Sequence, residues 1–439
     1  MDPLALPTEL KLLIARVLWN LDKRSLVALS LVSRDWRAPA QTFIFQTYNL
    51  RITGDRIIQD FLHFLQSSPH ILSYIRSLRC GEPKRPFERL SFDHPVSVAD
   101  ICALTSTIPS LRTLTIFNCL VSADCCCGRP VEWTISVPTL VLSEVVLQEC
   151  TLKVFLSGFK GSAFSFAEIS FTPADRCGSQ ALAGTLDFEP LVGCKSIYTG
   201  GIISHENYPR ILSEIRYNIL ARCPPVLNKF GTVCDLFDPR DFTAINELLH
   251  TKGRHIEDLQ LAFSTLTMAD EKFAALYDGL VNARDTDGLG VLPKFWRTLS
   301  LSECRSLRSI TFSLAVNGEP NVESTAILQW RYALRLLAAA PRTLTLIRLG
   351  MDFELYVIDA SIKRCTLTMV DWKKWDEVLK GFGALQRVEW FRLDMMGDDL
   401  SYYEPLQPRG SLPQRFTQAL TTHLGERMSD ATCKLFRYI

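Results

Sequence analysis

The segment Leu111-Arg112-Thr113-Leu114-Thr115-Ile116-Phe117-Asn118-Cys119-Leu120-Val121 has its large apolar side chains at regular offsets. Leu114 and Ile116 alternate with threonine, which is the period of a short β-strand with one buried face. Cys119 follows where the chain must turn, and a small side chain there can point inward and serve backbone groups that no strand ladder reaches. The segment therefore predicts a short strand followed by a buried turn.

The same spacing recurs along the chain. The pattern Leu-x-x-Leu-x-Leu-x-x-Asn/Cys-x-Leu is typical of leucine-rich repeats. A second full match consists of Leu142, Val145, Leu147, Cys150 and Leu152. Looser copies share the first apolar positions: Phe166, Ile169 and Phe171; Leu227, Phe230 and Thr232; Ile256, Leu259 and Leu261; Leu307, Ile310 and Phe312; Leu344, Ile347 and Leu349; Leu385, Val388 and Trp390. A fragment at Ile75, Leu78 and Cys80 begins the series.

Helical stretches fill the segments between the predicted strands. They are Arg56 to Leu65, Asp241 to Leu249, Met268 to Val281, Glu323 to Ala339 and Asp371 to Phe382. Prolines often separate helix and strand, as Pro109 and Pro341 do, because proline stops a helix where the chain turns. We interpret residues 49–400 as a degenerate leucine-rich-repeat array of alternating strands and helices, and residues 401–439 as a polar connector with a final helix that caps it. The predicted fold class is α/β, an irregular solenoid behind a small all-helical module at residues 1–48.

That N-terminal module has a helical period. Leu10, Ile14, Val17 and Leu21 recur at three-and-four spacing and, with Leu13 and Leu18, form one apolar stripe. Pro7 suits the first position of this helix, and Asp22 and Ser33 are suitable N-caps for two further helices. Pro39 is expected to begin a new helix.

These residues resemble the F-box, the adaptor-binding module of cullin-based ubiquitin ligases. The likeness covers about a tenth of the chain and consists of an ordered set: Leu6-Pro7, Glu9-Leu10, Ile14, Leu18, Leu26, Leu29-Ser30-Leu31-Val32-Ser33 and Trp36-Arg37. Two features depart from the family pattern, a longer turn between Leu18 and Leu26 and the proline at position 39. The resemblance implies that apolar side chains bury against a Skp-family adaptor, at Leu6, Pro7, Leu10, Ile14, Leu31, Val32 and Trp36.

Composition indicates a globular chain without a strong electrostatic partner. Of its 439 residues 47% are hydrophobic and 22% are charged, and the net charge of +1 gives no overall attraction to nucleic acid or to an anionic membrane. The start lacks the basic and apolar pattern of a secretory signal, and no window has the length of a membrane span. We therefore expect an intracellular protein, cytoplasmic or nuclear, whose 14 cysteines are mostly reduced and buried.

The chain shows no catalytic motif. It lacks a Gly-x-Ser-x-Gly elbow, a phosphate-binding glycine loop with its lysine, and a His-Glu-x-x-His pair. Cys125-Cys126-Cys127 lies near Cys119, but zinc needs four ligands at workable spacing, so a loop of small residues is the simpler interpretation. Trp372 and Trp375 fit the core of an amphipathic helix better than a base-stacking surface.

The resemblance implies a substrate-recognition adaptor of a Skp–cullin–F-box ligase, with no enzymatic activity, no metal and no cofactor of its own. Its partners would be the Skp-family adaptor, through it a cullin ligase, and a protein substrate on the outward strand face. The nominated contacts alternate with the inward residues: Arg112, Phe117, Glu257, Asp258, Arg348, Arg387, Glu389 and Phe391. Two alternatives stay open, a repeat scaffold whose first helices only cap the array, and a metal-dependent enzyme with a site between Cys119 and Cys127.

Overall fold

The computed structural model describes residues 6–54, 56–81, 95–122, 134–148, 151, 155, 158–167, 169–172, 193–200, 220, 223–224, 226–235, 239–264, 294–316, 320–353, 370–393 and 436–438. The chain forms two compact units, Met1–Cys194 and Lys195–Ile439. The predicted division into three domains, with boundaries at residues 48 and 400, remains a prediction.

Three helices open the first unit: α1 (Thr8–Leu21), α2 (Lys23–Val32) and α3 (Arg34–Ile44). They pack around the fully buried side chains of Ala15, Leu26 and Ala40. Asp22 and Ser33 cap α2 and α3 by accepting hydrogen bonds from the next turn, as the sequence predicts.

The two proline predictions for this module are wrong. Pro7 is the residue before α1 and not its first helical residue. Helix α3 continues through Pro39, which is buried inside it, so no new helix begins there. A proline at that point removes one backbone hydrogen bond to the carbonyl of Asp35, a cost of about 3 kcal/mol in an isolated helix that packing must offset.

Parallel strands form the main sheet of the first unit. Their order follows the chain: β1 (Thr47–Arg51), β2 (Ser77–Gly81), β4 (Thr113–Phe117), β6 (Thr139–Ser143) and β8 (Ala163–Ala167). The register aligns Leu78, Leu114, Leu140 and Phe164 in one inward column and Cys80, Ile116, Leu142 and Phe166 in the next. None of these eight side chains is more than 2% exposed, so each strand continues the core of the one before.

A second, smaller parallel sheet was not predicted. Each of its strands follows a strand of the main sheet in the chain. The small sheet contains β3 (Val96–Ser97), β5 (Leu120–Ser122), β7 (Val146–Gln148) and β9 (Ser170–Thr172). Helices α4 (Ile57–Ser67), α5 (Pro69–Leu72) and α6 (Val98–Thr107) connect the first strands, and α4 confirms the helix predicted from Arg56 to Leu65.

The second unit repeats the parallel arrangement. Its strands are β10 (Ser196–Thr199), β11 (Lys229–Asp235), β12 (Asp258–Ser264), β13 (Ser309–Val316), β14 (Leu346–Phe353), β15 (Arg387–Leu393) and β16 (Phe436–Tyr438). One inward column runs through Ile197, Phe230, Leu259, Ile310, Ile347 and Val388, none more than 2% exposed. The mixed α/β fold with a parallel strand array is therefore as predicted.

Helices pack beside this sheet: α7 (Pro239–Lys252), α8 (Pro320–Ala338) and α9 (Trp372–Lys380). They confirm three helices expected from the sequence. Trp372 and Trp375 of α9 are buried and lie edge-on against Trp330 of α8, with ring centroids 5.6 and 5.7 Å away. The tryptophans belong to the core, as their helical spacing indicates.

The frame of the second repeat match is wrong by five residues. The register pairs Leu114 with Leu140 and Ile116 with Leu142, so this repeat begins at Val137 and not at Leu142. The next copy shifts likewise, because Phe166 pairs with Leu142. Inward positions at offsets of zero, three, five, eight and ten residues overlap with themselves after a shift of five, so the pattern alone cannot fix the frame.

Several predictions fall outside the described residues. They include the helix from Met268 to Val281, the final helix from Gln414 to Leu424, and Cys125-Cys126-Cys127. Strand β16 was not predicted, since residues 401–439 were expected to form a connector and a helix. Over the described parts of the chain, no helix combines the length and apolar character needed to cross a membrane.

Candidate docking face and outward strand face

Helix α1 has apolar side chains on two opposite sides. Ala15, Leu18 and Trp19 face the module's own core. Five others fall within about 100° of arc on the other side, at 100° per residue, and are exposed: Leu10 (45%), Leu13 (56%), Ile14 (39%), Val17 (47%) and Leu21 (79%). We call these five residues the α1 docking face. One apolar side of α1 therefore packs on the core of the module, and the other is open to solvent.

This exposure is concentrated at the N-terminus. Among the described residues, eight of the ten large exposed hydrophobic side chains lie between Leu6 and Leu31. Leu6 (43%) precedes α1, and Val27 (44%) and Leu31 (82%) are one turn apart on α2. Apolar surface collected in one module is typical of an interaction site, whereas scattered exposed residues need no explanation.

The module's helices are fixed by polar contacts away from this face. Lys11 of α1 donates a hydrogen bond from Nζ to Oδ2 of Asp35 in α3, at 3.3 Å. Asp22 accepts hydrogen bonds from the Ser25 hydroxyl and the Arg24 backbone N–H, which hold the pKa of its carboxyl below the usual value. The hinge between α1 and α2 is therefore capped, and the orientation of α1 against α3 is tied by an ion pair.

The predicted adaptor contacts are not all equally open. Leu6, Pro7, Leu10, Ile14 and Leu31 are exposed, and Trp36 is half-buried. The side chain of Val32 lies outside the described part of α2. The helical period placed Leu18 in the same apolar stripe as Leu10 and Ile14, but Leu18 packs on the core cluster of the module. Leu13, Val17 and Leu21 are as exposed as the nominated residues; the helical period identified them, but they do not belong to the family motif.

The outward strand face of the first unit contains two of the nominated substrate contacts. Arg112 is exposed just before β4. Phe117 is half-buried, because the guanidinium of Arg79 in the neighbouring strand lies over its ring at 5.2 Å. Arg79 was not nominated, although its place between the inward Leu78 and Cys80 marks it as an outward residue.

The second unit brings three of the nominated residues together. Arg348 Nε donates to Glu389 Oε2 at 3.0 Å, and Arg387 forms an ion pair with Oε1 of the same carboxylate. Glu389 was expected to face solvent and is instead 5% exposed, because the two guanidiniums cover it. Glu257 is exposed and Asp258 half-buried at β12, two strands from Arg348. The side chain of Phe391 lies outside the described residues.

The cysteines of the described segments are thiols. Six of the seven are buried and Cys102 is partly so: Cys80, Cys102, Cys119, Cys194, Cys223, Cys234 and Cys304. Burial raises the pKa of Cys80 and of Cys304 to about 12. Cys119 is fully buried in the turn after β4, the position expected for it. Within the described ranges, no three side chains of the metal-binding types come together.

Comparison with known proteins finds similarity at the level of solved structures. No protein-family model matches the chain, and no curated protein matches its sequence. Among solved structures, the chain is similar to the leucine-rich repeat-containing protein LegL7 from Legionella pneumophila, with 8% sequence identity and a TM-score of 0.31. The similarity covers 88% of this chain and 99% of that one.

Proposed function

We propose that the chain is a substrate-recognition adaptor of a Skp–cullin–F-box ubiquitin ligase, in which residues 1–48 bind the Skp-family adaptor and the repeats bind a target protein. The observation that carries this proposal is the α1 docking face. It is open at Leu10 and Ile14, two of the positions at which the sequence resembles the F-box. In this role the chain itself makes and breaks no bonds, and it acts by holding a target near a charged ubiquitin carrier.

The competing scaffold interpretation expects the first helices to cap the array. In that case Leu10 and Ile14 should be covered by the chain's own first repeat, yet they are 45% and 39% exposed. Burying a leucine or isoleucine side chain is worth about 1.5–3 kcal/mol, so an uncovered row of five favours a partner that supplies the missing surface. The broader role as a protein-interaction scaffold is common to both interpretations.

Co-expression with a tagged Skp-family adaptor tests the proposal. The wild-type chain should be captured with the adaptor, and Ile14→Asp should not, because a carboxylate at this position would be desolvated without a partner. Thr8→Asp is the matched control, since it adds the same group at an exposed position of α1 on the side opposite the docking face. Unchanged capture of a folded Ile14→Asp chain would contradict the proposal and leave the scaffold interpretation.

A further inference from the structure

The outward face of β13 to β15 contains a preorganised pair of arginines. The strand register places Ser309, Leu346 and Arg387 in one row and Thr311, Arg348 and Glu389 in the next. Arg348 Nη1 lies 3.4 Å from Ser309 Oγ and donates to it, while its Nε donates to Glu389. We call Arg348 and Arg387 the arginine pair, and the side chain of Glu389 its buried carboxylate.

Each oxygen of the buried carboxylate holds one guanidinium. The Glu389 side chain is 6% exposed, whereas those of Arg348 and Arg387 are 34% and 45% exposed. A guanidinium has five N–H donors in a rigid plane, and one or two contacts leave other donors directed elsewhere. The carboxylate therefore fixes both planes on the sheet while part of each stays open to solvent.

The charge of this cluster is unbalanced. Two guanidiniums against one carboxylate leave one net positive charge. One carboxylate from a partner would neutralise the pair, and fork-shaped donors suit its two oxygens. A phosphate, with a charge near −2, would exceed the unpaired charge beside Glu389.

We infer that Arg348 and Arg387 bind an aspartate or glutamate side chain in an acidic segment of a protein partner. The inference rests on the proposed function, because it names the chemical class of the target protein that the repeats would bind. The binding itself needs neither the adaptor nor the ligase. A parallel sheet presents its outward rows at about 4.8 Å spacing, so an extended segment can cross several strands and place one carboxylate at this pair.

The test uses the purified full chain and a rhodamine-labelled peptide of alternating glycine and glutamate, followed by fluorescence anisotropy. We expect saturable binding that weakens as salt is added. Arg387→Gln should weaken it at least about tenfold, the loss expected for one charge-assisted contact. Arg331→Gln is the matched control, because it removes an exposed arginine from α8 and should leave the affinity unchanged.

Two results would overturn the inference. One is equal affinity of the wild-type and Arg387→Gln chains for the glutamate peptide. The other is tighter binding of a peptide with phosphoserine in place of glutamate, which would point to a phosphate-reading surface. No adaptor is present in this assay, so its failure leaves adaptor capture by the N-terminal module untouched.

Discussion

Glu144 and Asn118 occupy equivalent positions in consecutive repeats and share an uncommon backbone conformation. Their φ angles are +52° and +49°, in the left-handed region. There the backbone N–H groups of Asn118 and Glu144 donate to the carbonyls of Ser143 and Ala167 on the next strand. The bend thus redirects the chain from the main sheet into the small one. Asparagine tolerates this region better than other residues that have a Cβ, whereas glutamate does so at a cost of about 1 kcal/mol.

Replacing Glu144 by asparagine should therefore stabilise the protein by about 0.5–1 kcal/mol, because it removes backbone strain. Chemical denaturation of Glu144→Asn measures this change. Glu144→Gln is the control, since it removes the same charge but keeps a side chain unsuited to the left-handed region. Equal stability of the two variants would show that the backbone conformation at position 144 is not strained.

Cys80 is expected to be inert in the folded protein. It is 1% exposed, and burial raises its pKa from 9.0 to about 12, so the reactive thiolate is absent at pH 8. Iodoacetamide at pH 8 followed by peptide mapping should find Cys80 unmodified in the native protein and modified in guanidinium. Because the folded pKa is raised, this thiol's contribution to stability is complete below pH 9 and declines above it, as the unfolded chain ionises. Rapid native labelling of Cys80 would contradict the buried position.

The strands of the main sheet could be predicted from the sequence, whereas the frame of the repeat could not. Alternating apolar residues identified the main strands near Leu114, Leu259, Ile310, Ile347 and Val388, because each has a buried face and a polar one. The frame around Leu142 was wrong because the repeat pattern matches itself after five residues. The small sheet was not recognised as a separate sheet, because the shifted frame assigns Leu147 and Phe171, which lie in β7 and β9, to strands of the main sheet.

The corrected frame predicts which side chains of β6 matter for stability. Leu140→Ala should cost about 2–5 kcal/mol, because Leu140 is fully buried between Leu114 and Phe164. Val141→Ala should cost less than about 1.5 kcal/mol, since Val141 lies on the outward face and is half-buried. Thermal unfolding followed by circular dichroism compares the stabilities of the two variants. A larger loss of stability for Val141→Ala than for Leu140→Ala would contradict the corrected frame.

The α1 docking face could be predicted from the sequence, whereas the cluster around Glu389 could not. The ordered motif identified Leu10 and Ile14, and the period identified Leu13 and Val17, so the α1 docking face follows from sequence. The burial of Glu389 does not, because it depends on Arg348 and Arg387, which are brought to it by separate strands. Contacts between repeats are set by register, and the register is visible only in the fold.

Exposed apolar surface is distributed unevenly along the described chain. The repeats bury their inward columns almost completely, whereas α1 leaves one apolar side open. Beyond the N-terminal module, the exposed large apolar side chains of the described residues are Phe64 and Val226, so the open apolar surface is concentrated on α1 and α2. We therefore expect a Skp-family adaptor to cover the α1 docking face.

Isothermal titration of a purified Skp-family adaptor into the purified chain measures this binding. We expect saturable one-to-one binding with a negative heat-capacity change, the sign of apolar burial, for the wild type and for Thr8→Asp. A folded Ile14→Asp chain should give no binding heat at any temperature tested. An absence of binding by the wild-type chain, or equal binding by Ile14→Asp, would contradict this expectation.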